Sequence, residues 1–169
     1  MVAKLAKIDK CECCNGNDIG MSVYFFGCPI RCKNCFNQEL WDMNTGPDFS
    51  VNDEKEILEN LSLPYIKRIS LLGGEPLISR NLPTILSLSK EIKEKYPNKQ
   101  VWLYSGYEWR KIIEQEDVKP ILQYIDILVA GPYIDKQRDI TLKWRGSANQ
   151  EVIDVRESLN QNKKILYCN

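Results

Sequence analysis

The chain has 169 residues, with 23 basic side chains against 23 acidic ones, seven cysteines and no histidine. That length suits one domain with a real core, zero formal charge supplies no bulk field to attract nucleic acid, and the missing imidazole removes Ser-His-Asp, Cys-His and His-rich zinc chemistry. With no apolar run near the ~20 residues that span a bilayer and no secretion signal in MVAKLAKIDK, a cytoplasmic protein without a membrane or nucleic-acid partner is expected.

Residues 1–19 form an N-terminal segment carrying Cys11, Cys13 and Cys14 in the run CECC. An odd number of clustered cysteines in an intracellular chain favours metal binding or redox chemistry over disulfides. The first strand is expected at MSVYFFG (21–27), a β-rich run closing on glycine. GCPIRCKNCFNQELWD follows, with Cys28, Cys32 and Cys35 at C-x3-C-x2-C spacing. SVNDEKEILENL reads as a helix with Ser50 as its N-cap. The next strand, IKRISLLGG (66–74), ends in the turn Gly73-Gly74-Glu75-Pro76. In NLPTILSLSKEIKEKY, Leu82, Ile85, Leu86, Ile92 and Tyr96 share a helical face, with Pro83 admissible in the first turn. A third strand, QVWLYSG (100–106), precedes a helical YEWRKIIEQE with Trp109, Ile112 and Ile113 inward, and a fourth strand is IDILVAG (125–131). Residues 132–169 complete the chain and contain RGSANQ, a polar run that alone reads as a solvated loop turning at Gly146.

Strand and helix in alternation predict a single α/β domain over 1–169, with mainly parallel strands and right-handed crossovers in an open sheet or partial barrel. Ligands in such folds sit at the carboxyl ends of the strands, where each of the four strands ends in a glycine turn. Gly73 and Gly74 lack Cβ, so backbone groups there approach a ligand closely. Three cysteines are one short of a closed tetrahedral site. A zinc knuckle completed by a cysteine of CECC is one reading; a [4Fe–4S] cluster with one open iron is the other.

The segments NGNDIGMSVYFFGC, CKNCFNQELWD, LLGGEPL, WLYSGY and LVAGPYIDKQRDITLKWRGSANQEVIDV resemble the radical S-adenosylmethionine superfamily. Within it they are most similar to the activating proteins of anaerobic ribonucleoside-triphosphate reductase. The resemblance implies a radical SAM domain of the open partial (β/α) barrel type, with 20–131 as the cluster- and cofactor-binding core. It implies that Cys28, Cys32 and Cys35 ligate a [4Fe–4S] cluster whose open iron chelates S-adenosyl-L-methionine, making these cysteines both the metal site and the catalytic site. Gly73, Gly74, Glu75 and Pro76 would hold the methionine end, Ser105 and Gly106 would lie near the cofactor, and Arg145, Asn149 and Gln150 of RGSANQ would serve either near the cofactor or in docking the reductase. The aromatic residue common just before the third cysteine is replaced by Asn34, leaving Phe36 as the candidate for adenine contact. Ala130 stands where relatives commonly carry an acid.

The implied reaction is reductive cleavage of S-adenosylmethionine to a 5′-deoxyadenosyl radical, which takes a hydrogen atom from one glycine of the reductase's glycyl-radical subunit. An electron donor such as a flavodoxin would supply the electron. Cys11, Cys13, Cys14 and Cys168 fall outside the motif and read as ordinary thiols, a labile metal site or redox pair being the alternative. Two other functions compete: a radical S-adenosylmethionine enzyme acting on a small molecule, and a zinc-binding interaction module. The short chain leaves little material for an enclosed substrate pocket, whereas a large protein partner closes such a site itself.

Overall fold

The computed structural model describes residues 2–168. Seven strands form one sheet in sequential order, β1 (Leu5–Glu12), β2 (Gly20–Phe25), β3 (Arg68–Gly73), β4 (Gln100–Ser105), β5 (Ile127–Ala130), β6 (Glu151–Asp154) and β7 (Leu166–Cys168). The four expected strands are β2 to β5, which pair in parallel. β1, β6 and β7 join antiparallel, so the sheet is mixed rather than mainly parallel. For β1 and β6 the reason lies in the connections. Parallel neighbours need a long crossover, commonly a helix, and β2–β3, β3–β4 and β4–β5 are bridged by α1 (Val51–Leu61), α2 (Leu82–Lys95), and α3 (Trp109–Glu114) with α4 (Lys119–Leu122). The loop between β1 and β2 and the 131–150 connection contain no α-helix, and in both cases the chain returns antiparallel. A last helix, α5 (Val155–Asn160), precedes β7.

Local signals explain the helices. Ser50 caps α1 in a capping box with Asp53, which satisfies otherwise orphaned N–H groups. Pro83 sits in the first turn of α2, where its missing N–H is harmless. Leu82, Ile85, Leu88 and Ile92 of α2 are buried against the sheet, with Leu86 and Tyr96 at the margin; Leu88 is an addition to the expected stripe. One sheet face carries Met21, Val23, Ile69, Leu71, Val101 and Leu103 beneath the helices. The other carries Trp102, Ile127, Val129 and Val152, covered by Trp144 and Tyr167.

That second face also holds a polar cluster that the sequence reading missed. Arg68, fully buried on β3, pairs with Glu12 at 2.6 Å. It donates to Ser70 Oγ at 2.9 Å and to the Asn17 carbonyl at 2.7 Å. Glu12 also accepts from Ser22 Oγ at 2.8 Å and from the N–H of Asn15 at 2.9 Å. Residues 13–19 are thereby drawn across the sheet, and no helix of the described chain is long and apolar enough to cross a membrane.

Candidate active site at the carboxyl rim

The three cysteines of the motif line one cavity of about 150 Å³, together with Gly73, Gly74, Glu75, Ser105 and Gly106. The parallel strands β2, β3 and β4 end side by side, so their terminal turns are forced together. The cysteine loop is closed at its base: Gly27 N–H donates to the Leu40 carbonyl at 2.8 Å and Cys28 N–H to Trp41 at 3.1 Å. Inside the loop Cys35 N–H donates to the Cys32 carbonyl at 3.1 Å, and Arg31 and Asn34 take positive φ.

Backbone donors are aimed at all three sulfurs. The N–H groups of Ile30 and Arg31 reach Cys28, that of Tyr133 reaches Cys32, and that of Asn37 reaches Cys35 at 3.4 Å. Burial nevertheless pushes the Cys28 and Cys32 thiols up from their ordinary values; a bound metal would reverse that preference, because a coordinated thiol gives up its proton. Three thiols around one cavity, each with N–H donors directed at the sulfur, are a donor set that fits an iron–sulfur cluster with an open position. Cys11 and Cys14 also stand at C-x2-C spacing, which the sequence reading overlooked. Among the described residues no three Cys, Asp or Glu side chains converge as on a single metal ion, here or at CECC. Cys11, Cys13 and Cys14 are exposed and Cys168 is half-buried.

Glu75 is fully buried. Its Oε1 accepts from Leu77 N–H and Ser105 Oγ, both at 2.9 Å, and its Oε2 accepts from Gly106 N–H at 2.7 Å. Burial pushes this carboxyl up to about 7 in spite of those three donors, all of which are neutral. Gly74 lines the cavity and has a further, structural part. A Cβ built there comes within 2.4 Å of the Gly27 carbonyl oxygen and 2.9 Å of that of Leu40. The missing side chain therefore makes room first for the base of the cysteine loop. Pro76 is buried and is not part of the cavity lining.

Phe36 and Arg145 lie on a second cavity of about 370 Å³, which shares Cys35, Asn37, Tyr104, Tyr133 and Gln150 with the first. Cys14 lines it too. The Arg145 Nε and the Tyr104 hydroxyl are buried without a partner among the described residues. RGSANQ is not a free loop. Gln150 accepts from Gly146 N–H at 2.9 Å and donates to the Gly131 carbonyl at 3.0 Å, while Asn149 donates to the Pro132 carbonyl at 2.8 Å. Topology puts it there: β6 runs antiparallel to β5, with Glu151 opposite Ala130, so β6 begins at the rim where β5 ends. Asn37, Tyr104 and Tyr133 had no signal of their own as site residues; only their positions in matched segments hinted at them.

A family model described as a 4Fe-4S single cluster domain matches residues 14–153. A Vibrio cholerae protein is 36% identical over 140 residues, 82% of this chain and 89% of its own. A Haemophilus influenzae protein is 36% identical over 138 residues, 80% of this chain and 88% of its own. An Escherichia coli protein is 34% identical over 144 residues, 84% of this chain and 92% of its own. All three carry the name anaerobic ribonucleoside-triphosphate reductase-activating protein.

Proposed function

Since the chain belongs to the family of anaerobic ribonucleoside-triphosphate reductase-activating proteins, we propose that it is a radical S-adenosylmethionine enzyme that installs the glycyl radical of such a reductase. The observation that carries this reading is the meeting of Cys28, Cys32 and Cys35 with the Gly73-Gly74-Glu75 turn around one cavity. When bound, a [4Fe–4S] cluster would supply the electron that cleaves the sulfonium C–S bond of S-adenosylmethionine, giving methionine and the 5′-deoxyadenosyl radical that takes hydrogen from the reductase glycine.

The chain's own residues bind and orient. Cys28, Cys32 and Cys35 would hold the cluster, and the N–H groups of Ile30, Arg31, Tyr133 and Asn37 would stabilise the sulfur charge. Glu75 and the backbone of Gly73 and Gly74 receive the methionine ammonium; a cation there would offset the burial that raises the Glu75 carboxyl. Ser105 and Gly106 keep that carboxylate in place. Phe36, Tyr104 and Arg145, on the second cavity, face the adenosine side. We read residues 1–169 as one radical SAM domain, its open sheet curled as a partial barrel around the cavity, working in the cytoplasm with an electron donor such as a flavodoxin.

The test is anaerobic. Reduced, reconstituted protein mixed with S-adenosylmethionine and the cognate reductase should give a glycyl-radical doublet in electron paramagnetic resonance, along with 5′-deoxyadenosine. A reductase variant lacking the glycine should give no doublet. If the reductase gives none while a small metabolite stimulates 5′-deoxyadenosine formation, the reading is wrong.

A further inference from the structure

We propose that the rim formed by residues 31–36 and 134–143 is a docking surface for an acidic face of the protein partner, an inference that rests on the activating role above. The two segments are joined by the chain itself. Asn34 Nδ2 donates to Asp135 at 2.8 Å, and the Arg138 guanidinium lies over the Phe36 ring at 5.9 Å from its centroid. Phe36 is 76% exposed and Ile140 85% exposed, so two large apolar side chains stand in solvent beside the cavity walls.

The charge of this rim departs from that of the whole. In a chain with equal numbers of acids and bases, the rim and the adjoining residues to 145 carry Arg31, Lys33, Lys136, Arg138, Lys143 and Arg145 against Asp135 and Asp139. Both acids are engaged locally, Asp135 by Asn34 and the Tyr133 hydroxyl, Asp139 by Thr141. None of the six bases makes an ion pair among the described residues, although twelve of the other Lys and Arg side chains do. Unpaired positive charge around exposed apolar side chains speeds and orients encounter with a negative surface. A protein rather than a nucleic acid is favoured because the same rim surrounds the cavity that a glycine-bearing segment must reach.

The experiment measures affinity of the reconstituted protein for the cognate reductase, with the exposed Lys136 and Lys143 both reversed to Glu. Binding at about 50 mM salt should weaken about tenfold or more. Raising salt to about 200 mM should weaken wild-type binding and barely affect the reversed variant. Iron content and reductase-free S-adenosylmethionine cleavage should match wild type. Should the reversed variant lose its cluster, Lys136→Gln with Lys143→Gln makes the same comparison with a smaller loss. Unchanged affinity together with salt-independent wild-type binding overturns the docking surface while leaving the activating role standing. Unchanged reductase affinity with lost binding of a polyuridine oligonucleotide overturns it in favour of a nucleic-acid surface. Failure of wild type to bind the reductase at all removes both readings.

Discussion

Glu75 and Gly106 are 31 positions apart in sequence, yet the carboxylate accepts the glycine N–H at 2.7 Å. The bond latches the turn after β3 to the turn after β4, the two turns that face the cysteine loop across the cavity.

A buried carboxyl held this way makes stability depend on pH. The folded chain keeps the Glu75 proton up to about pH 7, whereas the unfolded chain releases it near 4.5. Stability from this group is therefore full below 4.5, falls as pH rises towards 7 and is level above it, a change on the order of 3 kcal/mol. Thermal midpoints of wild type and Glu75→Gln, compared across that window, should show the slope in wild type only. Parallel curves would mean the carboxyl titrates normally.

Glu12 works in the opposite sense. Burial opposes its charge, but the Arg68 guanidinium, the N–H groups of Asn15 and Cys14 and the Ser22 hydroxyl together hold its carboxyl down to about 2. Its contribution is present above 4.5 and is lost as pH falls through 2. Glu12→Gln strands the buried Arg68 without a counter-ion, so urea unfolding at neutral pH should show a loss of about 3 kcal/mol. The gap from wild type should narrow below pH 4.5. Adding Arg68→Met should restore most of the loss; a double variant as weak as the single would show that the pair is not the cause.

For Gly74→Ala, the new Cβ meets the backbone of Gly27 and Leu40 rather than open cavity. Overpacking of this kind destabilises by about 1–3 kcal/mol. Iron content, thermal midpoint and S-adenosylmethionine affinity should fall together. Full iron content with a selective loss of S-adenosylmethionine affinity would return this glycine to simple ligand approach.

The thiols divide into two groups. Cys28→Ala, Cys32→Ala and Cys35→Ala should each lose the roughly four irons of a reconstituted cluster and abolish 5′-deoxyadenosine formation. Replacement of Cys11, Cys13 and Cys14 together by serine should leave iron content nearly intact, since all three thiols are exposed. Iron lost from that triple variant would put the ligands in CECC.

The four parallel strands, the N-cap at Ser50 and the cysteine spacing were legible in the sequence because each rests on neighbours in the chain: a β-rich run closing on glycine, a Ser opening a helical run, thiols within one loop. The double-glycine turn was legible in the same way, and family resemblance added the roles of that turn and of RGSANQ. What only the tertiary structure decided were relations between distant segments. The antiparallel joining of β1 and β6 to the parallel strands follows from what connects them, the Glu12–Arg68 pair from β1 folding back across the sheet, and the crowding at Gly74 from the cysteine loop closing beneath it. Gln150 reaches the rim because β6 starts where β5 ends. Periodicity and spacing record which side chains share a face of one element. Which faces meet is decided by burial and backbone pairing across the whole sheet, where a single carboxylate such as Glu75 finds its three donors on two separate turns.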